Sequence, residues 1–238
     1  MPNLTMKGVS VNYLADNLWI FEGETVPFYA MPYQTRMTVV RLASGQLWLH
    51  SPIRLTEALQ RQLAALGEVA FLIAPNHLHH LFLGDWQAAY PDARSYGTRE
   101  VMAKREDLHF DGELTDSADF PWSQELDQLM FTGSKVMEEC VFFHRPSATM
   151  IVTDLVENID PQIFKPWQRG LAGLAGVLAP NGKMPLDWRM TFLFKKAQTR
   201  EHLRRMLAWQ PQRLIMAHGK IIDREAGDFL ARSFRWAT

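Results

Sequence analysis

The sequence predicts an α/β fold, because segments with strand periodicity and helix periodicity alternate along its first half. Two apolar runs, Met37–Leu42 and Leu47–Leu49, flank a short Gly-containing turn, which is the pattern of a β-hairpin. Leucines between Leu55 and Leu66 then recur at steps of three and four residues and share one helix face. The continuous apolar run Val69–Ala74 follows, as expected for a strand buried on both faces.

The ends of the leucine-rich helix carry suitable capping residues, since Thr56 can cap its start and Gly67 suits its end. Further predicted elements are the strand Leu18–Phe21, the helix Leu81–Tyr90, the strand Arg94–Tyr96, the helix Arg99–Arg105, the acidic surface loop Glu106–Gln128, the strands Leu129–Thr132, Glu139–Phe143 and Met150–Asp154, the turn His144–Ser147, the helix Thr199–Trp209 with Thr199 as its cap, the strand Arg213–Ala217 and the helix Asp223–Phe234.

Length favours a single domain over residues 1–238, because a domain usually has about 100–200 residues and a sandwich up to about 250. A Gly/Pro-rich segment at about 157–190, with the apolar centre Gly170–Ala179, interrupts the alternation of strands and helices. We predict that it is a helical insertion within this domain. Its glycines at three-residue spacing, Gly170, Gly173 and Gly176, predict a close-packed helix, with a lid or an oligomer contact as alternatives.

The formal net charge of −1, without a long run of one sign, indicates neither a nucleic acid nor an anionic membrane as a partner. Cys140 is the only cysteine, so no disulfide can form within the chain. The N-terminus lacks a basic segment followed by an apolar run, and no apolar stretch reaches the roughly 20 residues that span a bilayer. We therefore expect a cytoplasmic protein.

Three of the eight histidines, His77, His79 and His80, lie within four residues just after the buried strand Val69–Ala74. Ligands of α/β proteins bind at the carboxyl ends of strands. His77 and His79 are two residues apart and would point to the same side of an extended segment. Neutral imidazole is the commonest metal ligand, so this cluster predicts a metal site.

Two later apolar strands also end in residues that can bind a metal, Asp154 and His218. If the three strand ends are neighbours, imidazoles and a carboxylate meet at one cavity. Such a mixed nitrogen and oxygen set suits zinc, iron or manganese. Water bound to such an ion loses its proton near neutral pH and becomes a nucleophile. Taken singly, each residue is also typical of a hydrogen-bonded loop or a helix cap.

The order of these motifs resembles the metallo-β-lactamase superfamily. Pro75-Asn76-His77-Leu78-His79-His80 occupies the place of its His-x-His-x-Asp-His motif. Thr153-Asp154-Leu155 resembles its Gly-Asp-Leu, and Ala217-His218-Gly219 its Gly-His-Gly. The resemblance extends roughly from Leu18 to Phe234, is closest to a bacterial branch with divergent motifs, and implies an αββα sandwich.

The sequence departs from the family pattern at three positions. Pro75 stands where the first histidine of the motif belongs, and His79 stands where its aspartate belongs. The family's mid-chain histidine would lie near residues 133–138, which contain no histidine. Glu138 or Glu139 could substitute for it. These departures favour one ion, or two ions with altered ligands, and a lost metal site is the alternative.

The resemblance implies a hydrolase that uses a metal-bound hydroxide to attack an ester, lactone, amide or phosphoester. Its metal ligands would be His77, His79, His80, Asp154 and His218, with Asp154 also as the catalytic proton acceptor, and one or two divalent ions, zinc ahead of iron or manganese, as the cofactor. Side chains behind the ligands would be His50, Asp85 and Glu138. The alternatives are an iron-dependent oxidoreductase of the same fold and a non-catalytic binding protein.

The expected partner is a small-molecule substrate, together with a second copy of the chain if the protein forms a homo-oligomer. Phe164, Trp167 and Trp188 surround the Gly/Pro-rich segment and could line an apolar pocket. Such a pocket would favour a partly hydrophobic substrate.

Overall fold

The structure is a computed structural model that describes residues 5–6, 9–29, 31–117 and 119–238. The chain divides into two compact units. The first comprises Met1–Val26, Gln34–Leu114 and Ala118–Glu125, and the second comprises Pro27–Tyr33, Thr115–Ser117 and Leu126–Thr238.

The first unit is built on a mixed sheet flanked by short helices. The strands of this sheet are β1 (Thr5–Met6), β2 (Val9–Ala15), β3 (Leu18–Phe28), β4 (Met31–Arg41), β5 (Gln46–His50), β6 (Glu68–Ala74), β7 (Arg94–Gly97) and β8 (Gly112–Glu113), and the helices are α1 (Glu57–Ala64), α2 (Leu83–Ala89) and α3 (Arg99–Lys104). The end of β3 and the start of β4 belong to the second unit. The strands lie in the sheet in chain order. β4 and β5 pair antiparallel, as the hairpin pattern predicts, and the strands from β5 to β8 run parallel.

The core of the first unit forms where the predicted periodicities place apolar side chains. Leu59 and Leu63 of α1 are fully buried, and the Thr56 hydroxyl accepts the Leu59 N–H at 3.2 Å, so the predicted cap is confirmed. Every residue of β6 after Glu68 is buried, as expected for a strand covered on both faces. The Trp86 indole of α2 donates to the Ile53 carbonyl at 2.7 Å and fastens that helix to the core.

The second unit is built on a smaller sheet. Its strands are β9 (Leu126–Phe131), β10 (Glu139–His144), β11 (Thr149–Ile151) and β12 (Arg213–Ile215), and its helices are α4 (Pro166–Ala175), α5 (Leu186–Thr191), α6 (Lys196–Ala208) and α7 (Ala226–Ser233). The strand order is β12-β11-β10-β9. β11 and β12 are parallel neighbours, so their carboxyl ends lie at the same edge of the sheet. Leu203 of α6 and Leu230 of α7 pack into the same apolar core as Leu129 and Val141 of the sheet.

Two strands end earlier than the sequence predicts. β11 ends at Ile151 and β12 at Ile215, so Asp154 and His218 each lie three residues beyond a strand. The Val152 N–H still donates to the Ile215 carbonyl at 2.9 Å. Beyond it, the Thr153 N–H donates to the Glu139 carboxylate instead of to a neighbouring strand. The apolar residues of both segments therefore continue beyond the last hydrogen bonds of the β-sheet.

Two other predictions are wrong in detail. α6 begins at Lys196, and the Thr199 hydroxyl donates to the Lys195 carbonyl at 3.2 Å from within the helix, so Thr199 is not its cap. The loop predicted over Glu106–Gln128 contains the short strand β8 and the start of β9.

The Gly/Pro-rich segment contains two helices, but Gly170 and Gly173 are not positions of close packing. α4 spans most of its apolar centre, and α5 follows. A Cβ added at Gly170 would meet no atom within 4 Å, whereas Gly176 ends α4 in the left-handed conformation with φ +80°. Phe164 is buried and Trp167 is exposed, and the apolar pocket expected around Phe164, Trp167 and Trp188 stays a prediction. Within the described ranges, no helix has both the length and the apolar character needed to cross a bilayer.

Candidate metal centre

The histidine-rich loop of the first unit is shaped by Asn76, which the sequence argument passed over. Its buried side-chain oxygen accepts the N–H groups of Leu78 at 2.9 Å and of His79 at 3.1 Å. This local turn starts directly after β6, and because of it the three histidine side chains point in different directions. The three imidazoles therefore have different partners.

His79 is held by a serine at the end of β5. Its Nδ1 lies 2.5 Å from the Ser51 hydroxyl, and Ser51 itself is anchored because its N–H donates to the Ile73 carbonyl at 2.9 Å. A hydrogen bond at one ring nitrogen fixes the ring orientation and the tautomer, as it does behind metal-bound histidines. With Nδ1 engaged in this way, His79 would bind an ion through Nε2.

His77 and His80 are directed to charged residues of the first unit. His77 Nδ1 lies 3.1 Å from the Glu100 carboxylate of α3. The Arg105 guanidinium donates to His80 Nδ1 at 3.0 Å, and burial, together with nearby Lys104 and Arg105, lowers the pKa of His80 to about 4. Because Nδ1 accepts that bond, the proton of neutral His80 is on Nε2, which is buried and makes no hydrogen bond to a described residue. The assignment of His77 and His80 as metal ligands stays a prediction.

The three residues predicted to support the ligands occupy different environments. His50 is buried at the end of β5 and stacks on Trp48 with ring centroids 5.5 Å apart. Burial, and secondarily the nearby His79, lowers the pKa of His50 to about 3, so its ring is neutral at physiological pH. Asp85 is exposed on the first turn of α2, and Glu138 is half-buried just before β10.

A buried carboxylate holds the loop of Asp154 in the second unit. Glu139, the first residue of β10, accepts the backbone N–H groups of Thr153, Asp154 and Leu155 at 2.7, 2.9 and 3.1 Å. Burial, followed by the charge of Asp154, raises the pKa of Glu139, whereas these hydrogen bonds lower it. Since both carboxylate oxygens bind this loop, Glu139 positions Asp154 and does not replace the missing histidine.

Asp154 and His218 meet at the shared edge of β11 and β12. His218 Nε2 lies 3.1 Å from an Asp154 carboxylate oxygen, and both side chains are almost fully buried. The Tyr33 ring lies edge-on to the His218 ring, with centroids 4.9 Å apart at 86°. The sequence motif therefore identified two side chains that the fold does bring together.

The loop of His218 passes very close to the backbone of a neighbouring loop. Gly219 has φ +100°, and a Cβ there would lie 2.3 Å from the Asn158 carbonyl oxygen. The Asn158 N–H donates to the His218 carbonyl at 3.4 Å. A side chain at position 219 would therefore displace His218. This explains why a glycine follows the histidine in this motif.

Glu157 and Tyr33 form a buried acidic pair beside Asp154 and His218. The Tyr33 hydroxyl donates to the Glu157 carboxyl at 3.3 Å. Burial, partly offset by His218, raises the pKa of Glu157 to about 8, and burial also raises the pKa of Tyr33. Glu157 and Tyr33 were missed by the sequence argument, which named Glu139 only as a substitute for the missing histidine.

Comparisons with known proteins show the family and the fold. The model described as "Domain of unknown function (DUF4336)" matches residues 15–169, which is more than half of the chain. The chain belongs to this family. No curated protein matches this DUF4336 member by sequence.

Solved structures similar to this DUF4336 chain include metallo-β-lactamases. DIM-1 metallo-β-lactamase exposed to ceftazidime superposes with a TM-score of 0.66 at 13% identity, over 98% of both chains. The enzyme from Pontibacter korlensis gives 0.64 at 12% identity, over 96% of this chain and 98% of its own. The enzyme from Erythrobacter litoralis gives 0.63 at 11% identity, over 99% and 95%. The predicted αββα sandwich and the resemblance to this superfamily are thereby confirmed as a fold.

The substitution Glu139→Gln tests the role of the buried carboxylate. An amide offers one oxygen instead of two and places an NH₂ group against a backbone N–H, so the free energy of unfolding should fall by about 1–3 kcal/mol. Urea denaturation measures this change. Glu138→Gln is the matched control, because its side chain is only half-buried, and should change stability by less than about 0.5 kcal/mol. Equal effects of both substitutions would contradict the assigned role.

Glu157 predicts a pH dependence of stability in chelator-treated protein. Its pKa is raised to about 8 in the fold, above the ordinary value of 4.5, so the folded state keeps a proton that the unfolded state loses. The stabilisation is complete below pH 4.5 and is lost as the pH rises towards 8, with a slope of at most about 1.4 kcal/mol per pH unit. Glu157→Gln should remove this slope. Denaturation from pH 5 to 8 measures it, and the same slope in both proteins would refute the assignment.

Proposed function

We propose that this protein is a metal-dependent hydrolase in which Asp154 and His218 of the second unit hold one divalent ion. An imidazole and a carboxylate suit zinc, iron or manganese better than calcium or magnesium. Both residues follow strands within the confirmed metallo-β-lactamase fold, in the segments Thr153-Asp154-Leu155 and Ala217-His218-Gly219 that resemble motifs of that superfamily. The fold itself does not fix the reaction, so the proposal is argued from these side chains.

The observation that carries the proposal is the buried pair Asp154 and His218. Two ligands that are each about 2.0–2.2 Å from a tetrahedral ion lie about 3.4 Å apart. The 3.1 Å between His218 Nε2 and the Asp154 oxygen is close to that separation, so the pair fits a shared ion with little movement. Glu139 accepts the Asp154 N–H and Tyr33 packs on the His218 ring, so both residues help to fix the geometry of the pair.

One ion is favoured over two because the ligands of a second position are missing. Pro75 has no side-chain donor, His77 is paired with Glu100, and the chain has no histidine between His109 and His144. His80 is committed to Arg105 through Nδ1. The candidate ligands are thus those of a single mixed site.

A bound divalent ion supplies Lewis acidity that lowers the pKa of a coordinated water. Asp154 would help to hold the ion and would also accept a proton through its carboxylate. Glu157 carries its proton at neutral pH because its pKa is about 8, so this carboxyl can donate a hydrogen bond. The proposed substrates are small molecules with an ester, lactone, amide or phosphoester bond.

Metal content of point variants tests the ligand set. Protein purified without chelator should hold close to one equivalent of zinc, iron or manganese, measured by elemental analysis. Asp154→Asn and His218→Ala should each weaken metal binding by at least about tenfold, since even residues that only contact the ligands contribute about 10–100-fold. Hydrolysis of chromogenic esters and phosphoesters should require that metal.

The matched controls are His77→Ala and His80→Ala, which remove histidines of the loop that follows β6. Both should retain the metal, with circular dichroism as the check of folding. Loss of the metal in either control, or its retention in His218→Ala, would refute the ligand set. Iron that supports redox turnover without hydrolysis would favour the oxidoreductase alternative, and absence of stoichiometric metal would favour a binding protein.

A further inference from the structure

The outer side of α4 is apolar although it faces solvent. Trp167, Leu171 and Leu174 are spaced by four and three residues and lie on one face of the helix, and all three are exposed. Leu174 alone exposes 75% of its surface. Only Gln168 and Ala172 of this helix are buried, so the helix packs by a narrow stripe and presents a wider apolar stripe outward.

The same arrangement continues in the next helix. Met190 of α5 and Phe194 just after it are exposed and four residues apart, with Phe194 97% exposed. The Arg189 guanidinium donates to the Ala175 carbonyl at 2.8 Å and links α5 to the end of α4. We call the exposed side chains of Trp167, Leu171, Leu174, Met190 and Phe194 the apolar face. Exposed apolar side chains grouped on two neighbouring helices are typical of an interaction surface.

An exposed aromatic residue of the β3–β4 hairpin adjoins this region. Tyr29 is 85% exposed, and nearby Met31 and Tyr33 pack against the cluster that contains Ala172 of α4. Tyrosine and tryptophan favour the boundary between water and lipid, because each has an apolar body and a polar edge.

The segment that carries the apolar face is strongly basic. Seven basic residues and a single acidic one, Asp187, lie between residues 161 and 200, in a chain whose formal net charge is −1. Lys165, Arg169 and Lys195 are exposed beside the apolar side chains. The sequence argument expected no membrane partner because it used the net charge of the whole chain. That total does not reveal the local excess of basic residues. Basic and apolar groups on one surface are typical of peripheral helices that lie on anionic membranes.

We propose that this face docks on the surface of an anionic phospholipid bilayer. Its apolar side chains would enter the headgroup boundary, and its lysines and arginines would contact lipid phosphates and carboxylates. A second copy of the chain is a poorer occupant, because a two-fold interface sets the same patch against itself and would place two basic segments in contact. The charge of the segment therefore selects an anionic partner.

Flotation with phospholipid vesicles tests this proposal. The full chain should bind vesicles of phosphatidylcholine with about 30% phosphatidylserine, bind pure phosphatidylcholine at least about tenfold less, and lose binding as salt rises from about 0.1 M to 1 M. Phe194→Glu should reduce binding about tenfold, because it removes an exposed apolar group and adds a like charge to the lipid surface.

The matched control is Tyr13→Glu, which replaces another exposed aromatic residue, 57% exposed, by the same acid outside the apolar face. It should bind vesicles as the unchanged protein does. Failure to bind the anionic vesicles, or equal losses in both variants, would overturn the proposal. Analytical ultracentrifugation that shows a dimer abolished by Phe194→Glu, without vesicle binding, would assign the face to a second copy instead.

Discussion

The hydrogen bonds of the buried Glu139 carboxylate determine where the candidate site can form. β11 ends at Ile151, and the Val152 N–H still donates to the Ile215 carbonyl. The N–H groups of Thr153, Asp154 and Leu155 would have no such acceptor inside the protein if Glu139 did not accept them. A carboxylate with both oxygens engaged can remain in a fully buried position. The same bonds turn the chain so that the Asp154 side chain reaches His218.

The groups around Asp154 and His218 form a continuous buried network in the second unit. Tyr33 contacts the His218 ring and donates to Glu157, while Asn158 and Gly219 bring two loops together at backbone distance. Each contact restricts one of the two side chains before any ligand arrives. Such preorganisation reduces the cost of binding an ion, since few side chains must be ordered on binding.

The sequence predicted the fold and the positions of the key loops well, because both depend on local periodicity. The hairpin before His50, the buried strand before His77 and the strands before Asp154 and His218 all follow from apolar patterns. The sequence could not show which side chains bind His77 and His80. Glu100 and Arg105, which do so, lie more than twenty residues away in the chain. The hydrogen bonds of Glu139, the contacts of Tyr33 and the outward direction of Trp167 depend on tertiary packing, so local periodicity could not predict them.

The most direct test of the account is X-ray absorption at the metal edge of the fully loaded protein, because it counts ligands without a variant. The account predicts one ion per chain whose ligand shell contains imidazole nitrogen and carboxylate oxygen. A shell without imidazole nitrogen would show that His218 does not bind, and a metal–metal scattering path would show a second ion. Either result would contradict the single ion proposed for Asp154 and His218.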